Sequence, residues 1–375
     1  MTPRFPAPKR AVVKVGSSSL RAEDGGLDAA FVDCLVDQIA ALRTAAIEVV
    51  LVSSGAVAAG LAPLGLTARP ADLPGQQAAA SVGQGILMHT YQAGFARHGL
   101  ACGQVLLTPS DVVDRTRYLN ARHTFDRLLG LGAVPVVNEN DTVATDELRF
   151  GDNDRLAALV ASMLHAQVLV LLSDVDGLYP TRPDASAAAT PAPLDRVDDF
   201  SALDVQVVGP VGSDVGTGGM ASKLEAARIA TFSGAHAVIA NARRQSVVAE
   251  VMAGDHVGTW FPPSRRRPES RKLWIAFAPV PQGRVFVDAG AVRALVERGS
   301  SLLAAGIVDV QGDFSAGDAV DVVGPDHVVV ARGLTTYATP DVNAIKGRST
   351  ESLAAEFGGS FTREVIHRDS LVVVA

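Results

Sequence analysis

The sequence predicts a doubly wound α/β domain with a mostly parallel sheet, followed by a smaller domain built mainly of β-strands. Three observations predict it. Between Val12 and about Gly258, short runs rich in Val and Leu alternate with helix-like segments. Prolines and arginines then interrupt the pattern at Phe261 to Lys272 (FPPSRRRPESRK). Beyond them the texture changes to brief β-like runs punctuated by glycine.

The predicted strands of the first domain are Val12 to Val15, Val49 to Val52, Val105 to Leu107, Val134 to Val137, Val168 to Leu172 and Ala237 to Ala240. None alternates apolar with polar residues, as expected of parallel strands covered on both faces. Among the covering helices, Phe31, Leu35, Ile39 and Leu42 recur at helical spacing and predict a core face. The stretch Pro180 to Pro193 is too rich in proline and small residues for a regular element and reads as a surface loop or hairpin. In the second domain, strands are expected at Val285 to Val287, Ile307 to Val310, Ala319 to Val323, Val328 to Val330 and Leu371 to Val374, with one helix at Ala289 to Arg298. Gly299, Gly306, Gly312, Gly317, Gly324 and Gly333 fit tight turns in a small barrel.

A chain of 375 residues is long enough for two domains. Its net charge of −7 and pI near 5.6 oppose a general nucleic-acid or membrane-surface role, because no long-range positive field attracts phosphates. From Lys272 onward, 9 Lys and Arg against 12 Asp and Glu leave a net of −3 with few aromatic residues, which argues against RNA binding by the second domain. Cys34 and Cys102 lack the spacing of a zinc or redox motif and read as buried free thiols. With no apolar stretch long enough to span a bilayer and no apolar leader, a soluble, cytoplasmic protein is expected.

The strongest chemical signal is a pair of polar clusters, Asn138-Glu139-Asn140-Asp141 and Gly151-Asp152-Asn153-Asp154, set between an apolar strand and an apolar helix. Ligands of open α/β sheets bind where such strand ends and helix starts converge. Helix capping by Asp152 and Asn153 accounts for part of the pattern. Three more strand ends carry polar turns, and a glycine-rich segment leads into a later helix. VVKVGSSSL places Lys14 in a strand and Gly16 to Ser19 in the turn, so the ammonium needs either a phosphate or a structural ion pair. Ser53-Ser54-Gly55-Ala56 repeats the design and suits a carboxylate ligand or ordinary capping. Ser173-Asp174-Val175-Asp176-Gly177 follows the strand VLVLL and suits a nucleotide or a plain turn. GTGGMASK, Gly216 to Lys223, could wrap phosphates or serve as a hinge, although Ser222 stands where a P-loop requires glycine.

In this order VKVGSS, VSSGAVAAG, NENDTVAT, GDND, LLSDVDGLY and GTGGMASK resemble the amino-acid kinase family over essentially the whole chain, within it the branch that phosphorylates free glutamate. ERGSSLLAAGI and GDFSAGD resemble a PUA domain. The resemblance implies a three-layer α/β sandwich, the amino-acid kinase fold, over residues 1–258, a linker over 259–273 and a β-barrel-like PUA domain over 274–375. It implies that Lys14 and Lys223 touch the transferring phosphate, with Asp154 between them as organiser. Ser54, Asp141 and Asn153 would bind L-glutamate. Ser173 and Asp174 would meet ATP, and Thr217, Gly218, Gly219, Met220, Ala221, Ser222 and Lys223 would enclose its phosphates. Ser173 stands where relatives often have Thr, and the hydroxyl is kept. The resemblance further implies magnesium held chiefly by the phosphates rather than by protein ligands, and inhibition by proline near the glutamate site. Dimers or tetramers are implied as well, while transient contact with the next enzyme of proline synthesis is left open. Aspartate or acetylglutamate as the acceptor, or RNA binding by the tail, are the rival readings.

Overall fold

The computed structural model of the chain describes residues 2–22, 26–143, 153–180, 192–200, 203, 219–264, 275, 281–357 and 361–374. They fall into two compact units, Met1–Arg267 and Pro268–Ala375.

In the first unit the order is β1 (Arg10–Val15), α1 (Ser17–Leu20), α2 (Ala29–Thr44), β2 (Glu48–Ser53), α3 (Ala56–Leu61) and α4 (Leu73–Ala96). Then come β3 (Cys102–Leu107), α5 (Pro109–Val113), α6 (Arg115–Gly130), β4 (Val134–Glu139), α7 (Asn153–Met163) and β5 (Val168–Ser173). The unit closes with α8 (Met220–Phe232), β6 (His236–Asn241), α9 (Val247–Met252) and β7 (Thr259–Phe261). The sheet order is β3-β4-β2-β1-β5-β6-β7, parallel except for β7. All the strands expected from the sequence are present. Val168 to Leu172 are each 1% exposed or less, which is why the run shows no alternation. In α2 the expected face, Phe31, Leu35, Ile39 and Leu42, is buried, and each large side chain contributes about 1.5–3 kcal/mol. The Asp28 carboxylate caps α2 by accepting from the Phe31 N–H at 2.9 Å.

Two expectations are corrected here. Thr259 to Phe261, expected in the linker, form edge strand β7, with Ile239 opposite Thr259 and Ala237 opposite Phe261. A strand of three residues is too short to produce a periodic signal. Residues 265–274 and 276–280 of the Pro/Arg-rich stretch and the segment following it lie outside the described residues, as do 181–191 of the proline-rich loop. The cysteines are free but not buried: Cys34 lies on the exposed side of α2 and Cys102 is half-buried. Among the described residues, no helix is long and apolar enough to cross a membrane.

Helices α3 and α4 approach at Gly60 and Gly83. A Cβ on Gly83 would lie 1.8 Å from the Ala56 carbonyl oxygen, and one on Gly60 1.9 Å from that of Ala79. Replacing Gly83 by Ala gains about 1 kcal/mol of helix propensity. It also drives a methyl group into backbone that cannot rotate away, and overpacking costs about 1–3 kcal/mol. Gly83→Ala is therefore expected to be destabilised by up to about 2 kcal/mol, read as a lower urea midpoint.

The second unit contains β8 (Gly283–Val287), α10 (Ala289–Arg298), β9 (Ile307–Gly312), β10 (Ala319–Val323), β11 (Val329–Leu334), α11 (Thr339–Ile345), α12 (Thr350–Phe357) and β12 (Leu371–Val373). Its sheet runs β12-β11-β10-β8-β9, with β8 and β10 parallel and the other neighbours antiparallel. Val285, Leu295, Phe314, Val320, Val342 and Ile345 share its core. One helix was expected, and α11 and α12 are additional. Each spans about two turns, so α11 buries only Val342 and Ile345, too few to show a period. Gly333, expected in a turn, lies inside β11, where a Cβ would come 2.5 Å from the Ile366 Cγ2.

Candidate active site

The polar turns gather at the carboxyl ends of β1, β2, β4, β5 and β6 and at the starts of α7 and α8. Lys14 lies in β1, flanked by Val52 of β2 and Leu171 of β5, and is only 2% exposed. Its Nζ stands 2.5 Å from the Asp154 Oδ1. Asp154, in the first turn of α7, is wholly buried. Its Oδ2 accepts from the Lys223 Nζ at 3.0 Å and from the Ser222 hydroxyl at 3.1 Å. The Ser222 hydroxyl also lies 2.8 Å from the Gly219 carbonyl at the start of α8. Two lysines thus meet one carboxylate in a buried setting, leaving a surplus of one positive charge for an anion.

Asn153 organises the neighbouring corner. Its Nδ2 lies 3.1 Å from the Ser53 carbonyl, 3.0 Å from the Ser54 hydroxyl and 2.8 Å from the Asn138 Oδ1. The amide therefore reaches β2 and β4 rather than the N–H groups of its own helix. Asn153 Oδ1 is buried without a hydrogen-bond partner among the described residues. Ser54 is not a cap of α3 either, because Gly55 occupies the cap with φ 98° and no side chain bonds there. That left-handed angle requires glycine at the turn. Behind it, the Ser53 hydroxyl donates to the Ser54 carbonyl at 3.0 Å and lies 2.9 Å from the Tyr91 hydroxyl. Burial pushes the Tyr91 phenol up, so it remains a donor to Ser53.

Ser173 ends β5, 5% exposed, and its hydroxyl donates to the exposed Asp174 carboxylate at 3.1 Å. Asp141 stands two residues beyond β4, half-buried. Gly219, Met220, Ala221, Ser222 and Lys223 form the start of α8, whereas Thr217 and Gly218 lie outside the described residues. Lys14, Asp154 and Lys223 are thus brought together in one cluster, and Ser54 and Asn153 in another.

Sequence reasoning placed Asn138 in a polar cluster without giving it a role, and passed over Gln84. Asn138 is 3% exposed, accepts from Asn153 and from the Glu139 N–H at 2.9 Å, and donates to the Gln84 Oε1 at 2.9 Å. A buried amide ending the run Val134-Pro135-Val136-Val137 was a usable signal, since such a group needs partners. Gln84, on α4, carried none.

Residues 9–241 match the amino acid kinase family and residues 283–357 the PUA domain. The glutamate 5-kinase of Salinispora arenicola is 54% identical over 378 residues, covering 100% of both chains. That of Thermobifida fusca is 53% identical over 98% of this chain and 93% of its own. A solved UMP kinase from Bacillus anthracis aligns over 69% of this chain and 97% of its own, at 16% identity and a TM-score of 0.48. With the family match spanning more than half of its length and near relatives spanning all of it, the chain belongs to the amino acid kinase family and carries a PUA domain after its kinase unit.

Proposed function

We propose that the chain transfers the γ-phosphoryl group of ATP to the side-chain carboxylate of L-glutamate, forming L-glutamyl 5-phosphate, the first step of proline synthesis. The observation that carries the reading is the buried pair of lysines on Asp154, at 2.5 and 3.0 Å. Near-identical length and 54% identity to a glutamate 5-kinase supply the acceptor.

The chemistry follows from charge. A glutamate side chain, with a pKa of about 4.3, is already an anion at neutral pH and needs no general base. The obstacle is bringing that anion against the γ-phosphate. Lys14 and Lys223 neutralise charge spreading over the transferred group, and Asp154 fixes their spacing without moving a proton. The Asn153 oxygen, unpartnered among the described residues, and the Ser54 hydroxyl fit an amino-acid ligand, with Asp141, two residues beyond β4, as a carboxylate for its ammonium group. Ser173, Asp174 and the start of α8 take the nucleotide.

A magnesium ion would be held chiefly by the phosphates of the nucleotide. Both Asp154 oxygens are engaged by Lys14, Lys223 and Ser222, so this carboxylate fits the role of lysine holder better than that of metal ligand. When bound, the ion would supply further positive charge against that of the triphosphate.

The test is ATP-dependent hydroxamate formation with hydroxylamine and magnesium, offering glutamate, aspartate and N-acetylglutamate in parallel. Product from glutamate alone is expected. Product only from another acid would move the acceptor assignment, and none from any acid would overturn the reading. Proline in a second set tests the inhibition that the family resemblance implies.

A further inference from the structure

The turn after β5 is held from a strand that no motif marks. Thr259, first residue of β7 and wholly buried, accepts from the Leu178 N–H at 2.8 Å and donates to the Leu194 carbonyl at 2.6 Å. Its single hydroxyl therefore joins the end of the Ser173 to Leu178 turn to a distant stretch of chain. Gly177 is fitted to this contact, since a Cβ there would lie 2.6 Å from the Thr259 Oγ1. From the other side, Asn241 closes β6 directly opposite Ser173. Its Nδ2 donates to the Asp176 Oδ1 at 2.8 Å, while its Oδ1 accepts from the Arg243 N–H at 2.8 Å. The Ala242 N–H adds a 2.7 Å bond to the Ser173 carbonyl.

We infer that Thr259 and Asn241 are positioning residues for nucleotide binding, pinning the Ser173 to Leu178 turn from the β6–β7 edge of the sheet. The inference rests on the reading of that turn as the nucleotide contact. Its physical basis is pre-organisation. An unpinned turn samples conformations that cannot bind, and affinity falls by the fraction that remains competent. Neither residue is placed against the acceptor corner at Ser54 and Asn153, so the effect belongs to the nucleotide alone.

The experiment titrates the full-length protein calorimetrically with magnesium and the non-hydrolysable analogue AMP-PNP, alongside steady-state kinetics where activity is present. Thr259→Val keeps the shape and removes the hydroxyl, and is expected to weaken AMP-PNP binding about tenfold, the scale of one lost buried hydrogen bond. Thr259→Ser restores the hydroxyl and should bind within about twofold of the parent protein. Asn241→Ala acts from β6 and should weaken binding about fivefold, which keeps the test open if Thr259→Val does not fold. In both weakened variants the KM for ATP should rise while kcat and the KM for glutamate hold. Unchanged binding in Thr259→Val, or equal weakening in Thr259→Val and Thr259→Ser, would overturn the inference. Asp174→Ala binding like the parent would show instead that the turn is not the nucleotide contact. A protein that binds AMP-PNP with these dependences but fails to phosphorylate glutamate would lose the acceptor assignment and keep the inference.

Discussion

Asp154→Ala is expected to lower kcat by about a thousandfold, the scale of losing an electrostatic centre aimed at a developing charge. The KM values for ATP and glutamate should move far less. One carboxylate sets the spacing of both lysines, with Lys14 on Oδ1 and Lys223 on Oδ2, so its removal frees two ammonium groups that repel each other. Repulsion moves them off the transferring group, where their effect is greatest in the transition state. The same change takes the carboxylate away from two buried cations, and breaking a buried pair costs about 3–5 kcal/mol. Thermal unfolding must therefore accompany the kinetics, and Asp154→Asn, which keeps the shape, separates folding from catalysis. A loss confined to affinity, with kcat intact, would remove Asp154 from the organising role.

Lys223→Met is the second large effect, with kcat expected to fall by about a hundred- to a thousandfold. Its electrostatic logic is opposite to that of Asp154→Ala. Removing Lys223 leaves Lys14 and Asp154 as a neutral pair, so stability should suffer little while the surplus positive charge disappears. A thioether of similar length fills the space, and the remaining defect is one of charge. Full activity in Lys223→Met would exclude the residue from the site. Calorimetric and kinetic data on the two variants together distinguish a destabilised fold, expected chiefly in the first, from a lost charge, expected in both.

Much of this arrangement was legible in the sequence because it follows from local patterns. Uninterrupted apolar runs gave parallel strands. A lysine inside such a run, Lys14, needed an ion pair or a phosphate, and the family resemblance named Asp154 as the group beside it. What escaped was decided by tertiary contact. Thr259 sits beside the Pro/Arg-rich stretch and looks like linker until β7 is seen paired to β6. Gln84 is one polar residue on a long helix, and its bond to Asn138 spans 54 positions. Helices α11 and α12 are too short to reveal a face, and the cysteines were judged by apolar neighbours in sequence although Cys34 lies on the exposed side of α2. Thr217 and Gly218, expected around the phosphates, remain proposals carried by the resemblance.

The sheet order has an evolutionary consequence. β1 lies at its middle, with β2 and β4 on one flank and β5, β6 and β7 on the other. Ser54, Asn138 and Asn153 converge on the first flank, whereas Ser173, Asn241 and Thr259 gather on the second. Lys14 stands on the dividing line, linked through Asp154 to Lys223. On the proposed function, donor and acceptor recognition fall on opposite flanks of β1. A lineage could exchange one acid for another by rewriting the ends of two strands, while the apparatus that handles the triphosphate is passed on untouched.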